Sequence, residues 1–239
     1  MRKTEIELVW FKRDLRIFDH APLYAASNHG LVLPVYIFEP DLWEEPDLSF
    51  RHYDYLVKAI NDLDKQLNSV GSKLQIHVGN ACEVFTAISI KYKIARLWSH
   101  QETWNSWTYK RDNAVKAWAA ANGVQWIEKP SNGVIRNLNS RNGWAKEWYE
   151  TMACPTALPP QNLKILEFEN DTIPNPSKLK LSVDQLISSQ DPTRSSGFKT
   201  LKSFLETRCN NYKFEMSSPI TAEESCSRIS PYLAFGQIS

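Results

Sequence analysis

The chain has 239 residues, 42% hydrophobic and 23% charged, with 28 basic against 27 acidic side chains and a formal net charge of +1. This is the mix of a folded globular protein, which excludes a disordered or low-complexity chain. Balanced charge also excludes a uniformly basic nucleic-acid coat, while leaving room for a local basic groove.

No apolar run approaches the roughly 20 residues of a membrane span, and no secretory signal opens the chain. The four cysteines, Cys82, Cys154, Cys209 and Cys226, form no CxxC pair, and the five histidines form no HExxH. These features predict reduced thiols in a cytoplasmic protein and give no zinc-site spacing. Nine tryptophans serve either core packing or contact with a flat ligand.

In chain order, short apolar runs at Ile6–Phe11, Leu31–Phe38, Leu74–Val78 and Ile94–Trp98, with a weaker one at Val124–Ile127, read as strands covered on both faces. Pro34 is an awkward member of the second. Helical periods lie between them. Asp19 is placed as the cap of a first helix, with Pro22 in its first turn. Tyr53, Leu56, Val57, Ile60, Leu63 and Leu67 share one helix face. Asn80 with Glu83 reads as a capping box ahead of Val84, Phe85 and Ile88. Ala114, Val115, Trp118 and Ala121 form another stripe, stopped by Asn122-Gly123. Alternating strand and helix predicts an α/β layered, Rossmann-like domain over 1–128 with a parallel sheet. Ligands in such sheets bind outside the carboxyl ends of the strands, so the segments after Phe11, Phe38, Val78 and Trp98 are the places to inspect.

Near residue 129 the composition turns to prolines and Asn-Gly pairs, and 129–196 reads as a long connector with short helices around Trp144–Met152 and Val183–Ser188. A new helix begins near Gly197, opening a helical segment over 197–239. Phe198, Leu201, Leu205, Arg208 or Cys209, and Tyr212 share its face. Ser230-Pro231 reads as an N-cap and first helical residue, followed by an apolar stretch with nothing after it to cover its face. The expectation is a chain cut short, or one completed by a partner.

Two segments carry chemistry. Ser227, Arg228 and Ser230 at a helix start make a phosphate cradle. The loop Lys12-Arg13-Asp14-Leu15-Arg16, with Asp19, sets three cations and two carboxylates after the first strand, as an ion-pair network or an anion site. GxGxxG, GxxxxGK[ST] and GxSxG are absent.

Together these segments resemble the photolyase/cryptochrome flavoprotein family. WFKRDLRIFDHAPL (Trp10–Leu23) is similar to its N-terminal signature, and CSRISPYLAFGQIS (Cys226–Ser239) to the start of its FAD-binding domain. The resemblance implies an antenna-type α/β domain, a connector and the beginning of a helical FAD domain. It implies blue-light chemistry: a photolyase splitting pyrimidine dimers in DNA by electron transfer, or a cryptochrome signalling without repair. A stand-alone chromophore- or nucleotide-binding module is the third reading. By the same resemblance Tyr212, Ser227, Arg228, Ile229 and Ser230 would hold the FAD phosphates. The family usually has Thr where Cys226 stands, which replaces a hydroxyl donor with a weak thiol. His100, Glu102 and Asn105 are candidate contacts of an antenna chromophore of folate or flavin type, although Ser106 stands where an acid is expected. The connector Gly133–Trp144 departs from the aromatic-Thr-Pro-aromatic pattern of many photolyases. The rest of the flavin pocket lies beyond Ser239 in family members, so the 239 residues alone are expected not to repair DNA.

Overall fold

Each apolar run forms a strand. β1 (Glu5–Phe11), β2 (Val32–Phe38), β3 (Gln75–Val78), β4 (Lys93–His100) and β5 (Gln125–Lys129) pair in parallel in the order β3-β2-β1-β4-β5. The structure is a computed structural model and describes residues 3–136, 138–184 and 190–239. Pro34 is tolerated because β3 pairs with β2 only from Val35 onward, so at Pro34 the ladder has one neighbour instead of two.

Alternation along β1 builds two cores. Val9 and Phe11 pack with α1 (Ala21–Ser27) and α3 (Phe50–Ser69), through Leu23, Leu56, Ile60, Leu63 and Leu67. Ile6, Leu8 and Trp10 pack with α4 (Ala81–Lys91) and α5 (Ser106–Ala121), through Phe85, Ile88 and Val115. Each large side chain so buried contributes about 1.5–3 kcal/mol. Glu7 is buried on the Val9 face, held by Arg96 and by the Trp98 indole N–H at 2.6 Å. A buried carboxylate is tolerated where it is paired and hydrogen-bonded in this way.

Several local expectations are corrected. The cap of α1 is His20, whose Nδ1 accepts the Leu23 N–H at 3.0 Å. Asp19 is turned away in a left-handed conformation (φ 52°), its carboxylate accepting the Ala157 N–H at 3.0 Å. Asn80 does cap α4, on the Cys82 N–H at 2.9 Å, but among the described residues Glu83 does not close the box. In the connector, α6 (Trp144–Met152) forms as expected. For the helix expected at Val183–Ser188, Val183 and Asp184 are not helical and 185–188 lie outside the described residues.

The helix expected from Gly197 starts earlier and breaks sooner. After α2 (Pro40–Trp43) and α3–α6, α7 runs over Arg194–Glu206, capped by Thr193 on the Ser196 N–H at 3.2 Å. A 3-10 turn (Arg208–Asn211) and α8 (Tyr212–Glu215) follow, so Tyr212 is not on the α7 face. The break is stabilised by Arg208, which folds back on the Thr200 carbonyl at 2.7 Å and reaches the Cys226 carbonyl. Next come α9 (Ala222–Ser225) and α10 (Ser230–Ala234).

The apolar side of α10 is covered in part: Tyr232 is buried, while Leu233 and Ala234 stay exposed, so the expectation of an uncovered face holds only for these two. Tyr232 is 1% exposed and packs with Tyr55 of α3 and with Phe235 and Ile238. Tyr55 also donates its hydroxyl to the Gln237 side chain at 3.0 Å. Two glycines permit this return. A Cβ on Gly197 would meet Ile238 Cδ1 at 2.6 Å, and one on Gly236 (φ 73°) would meet the Arg13 carbonyl oxygen at 2.4 Å. Among the described residues no helix is long and apolar enough to cross a membrane.

Candidate functional site

The strand order reverses between β1 and β4, and the segments that leave these strands, Lys12–His20 and His100–Asn105, meet at the carboxyl edge of the sheet. The charged side chains there are mostly buried and paired. Trp10 lies between two cations, Lys12 Nζ at 4.9 Å and the Arg111 guanidinium at 4.5 Å from its ring centre. Arg111 pairs with Glu39, directly after β2, and with Asp112 at 2.8 Å. Arg13 pairs with Glu102 at 2.9 Å and stacks 4.4 Å over Trp104. Arg136 of the connector grips both oxygens of Glu128 at 2.9 Å and donates to the Glu102 carbonyl at 2.6 Å.

The pairing is incomplete at one point. Lys12 Nζ, Arg13 Nε and Glu39 Oε1 are buried without a hydrogen-bond partner among the described residues, and their residues all line a cavity of about 30 Å³. Its neighbour, about 180 Å³, shares Lys12, Arg13 and Trp104 and is walled by Trp43, Leu56 and Phe235. An apolar wall beside a few convergent polar groups is the usual make-up of a small-molecule site. Burial lifts the Glu39 carboxyl to about 7 despite the guanidinium beside it, and burial lowers the Lys12 ammonium from its ordinary value.

Asp14 is the hub of the loop. Its Oδ1 accepts the Lys12 backbone N–H at 2.7 Å, and its Oδ2 accepts from His20 at 2.9 Å and His100 at 2.6 Å. Although burial opposes ionisation, the two imidazoles hold Asp14 well below the usual carboxylate range. Burial brings His20 down to about 4. The three groups stand within 4.8 Å of one another, a spacing that would suit a metal ion. The hydrogen bonds argue otherwise. His20 Nδ1 must be bare to accept the Leu23 N–H, so the proton sits on Nε2, leaving no lone pair there for a metal. The set is a hydrogen-bonded His-Asp-His chain.

Of the candidate antenna residues, His100 and Glu102 come together on a cavity of about 340 Å³ that also reaches the last residues of the chain. Asn105 is instead the cap of α5, its carbonyl accepting the Thr108 N–H at 3.0 Å and its amide donating to Asp47 at 3.1 Å. The second candidate group lies in the turn before α10. Arg228 has a left-handed backbone (φ 59°) and pairs with Glu223 at 2.8 Å, and its carbonyl accepts from Gln190 at 2.8 Å. Arg208 binds the Cys226 and Ser227 carbonyls from behind. The Ser227 and Ser230 hydroxyls have no partner among the described residues, and Ser230 does not cap α10, whose boundary residue is Ile229. Tyr212 is exposed, edge-on to Phe204 at 5.9 Å. Serine hydroxyls and a guanidinium are donors of the kind a phosphate takes. The pair Glu39 and Arg111 escaped sequence reasoning. Glu39 follows a strand at a position worth inspecting, but Arg111 sits inside a helix and carries no motif.

A five-stranded parallel sheet with this order, followed by helices, defines an α/β domain with its site at the carboxyl edge. The chain belongs to the DNA photolyase family, which it matches over residues 7–151. It is 27% identical over 57% of its length to the (6-4)DNA photolyase of Arabidopsis thaliana, of which it covers 26%. It is 26% identical over 98% of its length to an uncharacterized 31.6 kDa protein of Synechococcus sp. (strain PCC 6716), covering 86% of that chain. In fold, it superposes on the Synechocystis sp. PCC6803 cryptochrome with a TM-score of 0.79 at 18% identity, covering all of this chain and 54% of that one. The chain thus spans a quarter of the photolyase and about half of the cryptochrome. FAD is the family's cofactor.

Proposed function

We propose that the chain is the α/β domain and flavin-phosphate turn of a blue-light FAD protein, with repair of pyrimidine dimers in DNA as its leading activity. The observation that supports this most is the turn at Cys226–Ser230, where the Ser227 and Ser230 hydroxyls have no partner among the described residues and flank in sequence an Arg228 paired with Glu223, in a chain of this family. In this reading Ser227 and Ser230 donate to the FAD phosphates, Arg228 leaves or shares Glu223 to neutralise them, Ile229 positions the turn, and Tyr212 flanks it. When bound, FAD supplies the electron that splits the dimer; the residues here only hold and orient it. His100 and Glu102 are the antenna-side contacts, with Asn105 fixing the helix beside them. The 239 residues hold the phosphate end alone, so by themselves they do not reverse dimers.

The experiment is light-dependent reversal of dimers in a single-stranded oligonucleotide by the native gene product. Reversal in light and none in darkness is the expected result. A flavin-bearing product that reverses nothing in light moves the reading to a cryptochrome-type photoreceptor without repair. The match across nearly the whole chain to a 31.6 kDa relative favours a second reading, a free-standing chromophore- or nucleotide-binding domain. A flavin-free native product would select it.

A further inference from the structure

We propose that the cavity on α6 and the connector before it binds a flat aromatic carboxylate, with the Trp144 and Trp148 indoles as its stacking wall and the Arg141 guanidinium as its anion contact. The inference goes beyond the flavoprotein reading and requires neither flavin, DNA nor light. The cavity shares no lining residue with the three at the carboxyl edge of the sheet. Most of the other tryptophans have a place in the fold. Trp10, Trp43 and Trp98 are buried in the two cores, and Trp118 and Trp126 pack against the second. Trp104 lies under Arg13, and Trp107 faces Arg111. Trp144 and Trp148 join neither core. They stand four residues apart, on one face of α6, and this nine-residue helix buries no side chain. Core packing therefore does not account for two indoles at this spacing.

Both rings are fixed in place by one glycine. Trp144 donates its indole N–H to the Gly133 carbonyl at 3.1 Å. Trp148 lies so close that a Cβ on Gly133 would meet its Cδ1 at 2.0 Å. With Val134 and Ile135 these rings line a cavity of about 480 Å³, within the size range of small-molecule sites. Rings already held rigid lose little freedom when another ring stacks on them, so the wall suits a flat aromatic ligand. The charge then selects among such ligands. Arg141 is the one charged side chain lining the cavity among the described residues, and its guanidinium has no partner among them. A guanidinium offers a planar fork of donors that matches the two oxygens of a carboxylate. One unpaired cation on an aromatic wall, with no acid lining it, complements an aromatic ring that carries a single negative charge.

The test is heteronuclear NMR of the indole N–H signals of the full 239-residue chain. The chain is titrated with naphthoate, with neutral naphthalenemethanol and with cyclohexanecarboxylate at equal ionic strength. The Trp144 and Trp148 signals are assigned by their loss in Trp144→Phe and Trp148→Phe. The expected result is a saturable shift of both signals with naphthoate, about tenfold weaker binding of the neutral alcohol, and no response to cyclohexanecarboxylate. Arg141 is exposed and outside both cores, so Arg141→Gln leaves the fold intact. This variant is expected to bind naphthoate about tenfold more weakly and the alcohol unchanged. No saturable shift of the two signals with naphthoate in the folded wild-type chain would overturn the proposal. Equal binding of the alcohol, or wild-type affinity in Arg141→Gln, would overturn the anion contact; equal binding of cyclohexanecarboxylate would overturn the stacking wall. A naphthoate response at Trp43 or Trp104 in place of these signals would put the ligand at the carboxyl edge and also refute the assignment. None of these outcomes depends on FAD.

Discussion

Two buried groups titrate in opposite senses, and this makes the carboxyl edge of the sheet readable by pH. His20 drops from its ordinary 6.5 to about 4 on folding, so between these values the unfolded chain binds more protons and stability rises with pH. Glu39 goes the other way, from 4.5 to about 7, so there the folded chain binds more protons and stability falls as pH rises. In the wild type the two partly offset each other. His20→Asn keeps a side-chain acceptor for the Leu23 N–H and removes the titration. Its urea stability is expected to fall steadily from pH 4.5 to 7. Glu39→Gln is expected to rise over the same range. Parallel slopes in the two variants would show that burial does not shift these groups as described. The periodicity of the sequence could not reveal the Asp14 hub that holds His20. His20 and Asp14 stand in a conspicuous charged loop, but the third partner, His100, arrives from a strand 86 residues on.

The strands and the long helices were legible because their apolar periods are unbroken, and the observed bounds lie within a few residues of those read from the sequence. What failed were choices made by tertiary contacts. Asp19 looked like a cap, but the Ala157 N–H claims its carboxylate and His20 takes over. The 197–212 period looked like one helix, but the carbonyls that Arg208 binds end it. The uncovered face of α10 was misjudged in part for the same reason, since Tyr232 is covered by α3, nearly 180 residues earlier, while Leu233 stays exposed. The return of this segment rests on Gly236. Gly236→Ala would place a methyl 2.4 Å from the Arg13 carbonyl oxygen at a positive φ, and is expected to cost roughly 1–3 kcal/mol. Thermal unfolding would show it. An unchanged midpoint would mean that the contact between the terminal segment and the Asp14 loop is not made. Arg208→Met removes the bonds to the Cys226 and Ser227 carbonyls, and should speed amide exchange at Ser227–Ser230 while leaving the sheet protected. Equal protection in both proteins would remove Arg208 from the support of the turn.

At the scale of the molecule, the sheet order places the charged loop after β1 and the end of β4 together, and the chain's last residues close over them. The parallel fold and the location of this edge follow from strand-helix alternation alone. The pairing of its charges does not, since Arg111, Glu39 and Arg136 come from a helix, a strand end and the connector. The flavin reading rests on a separate feature, the Cys226–Ser230 turn, and on family membership. The most direct test is the flavin content of the native gene product purified from its source cells. The account predicts one FAD per polypeptide, with occupancy sharply reduced by Arg228→Glu in an otherwise folded protein. A folded, flavin-free product, or full FAD occupancy in the Arg228→Glu protein, would contradict it.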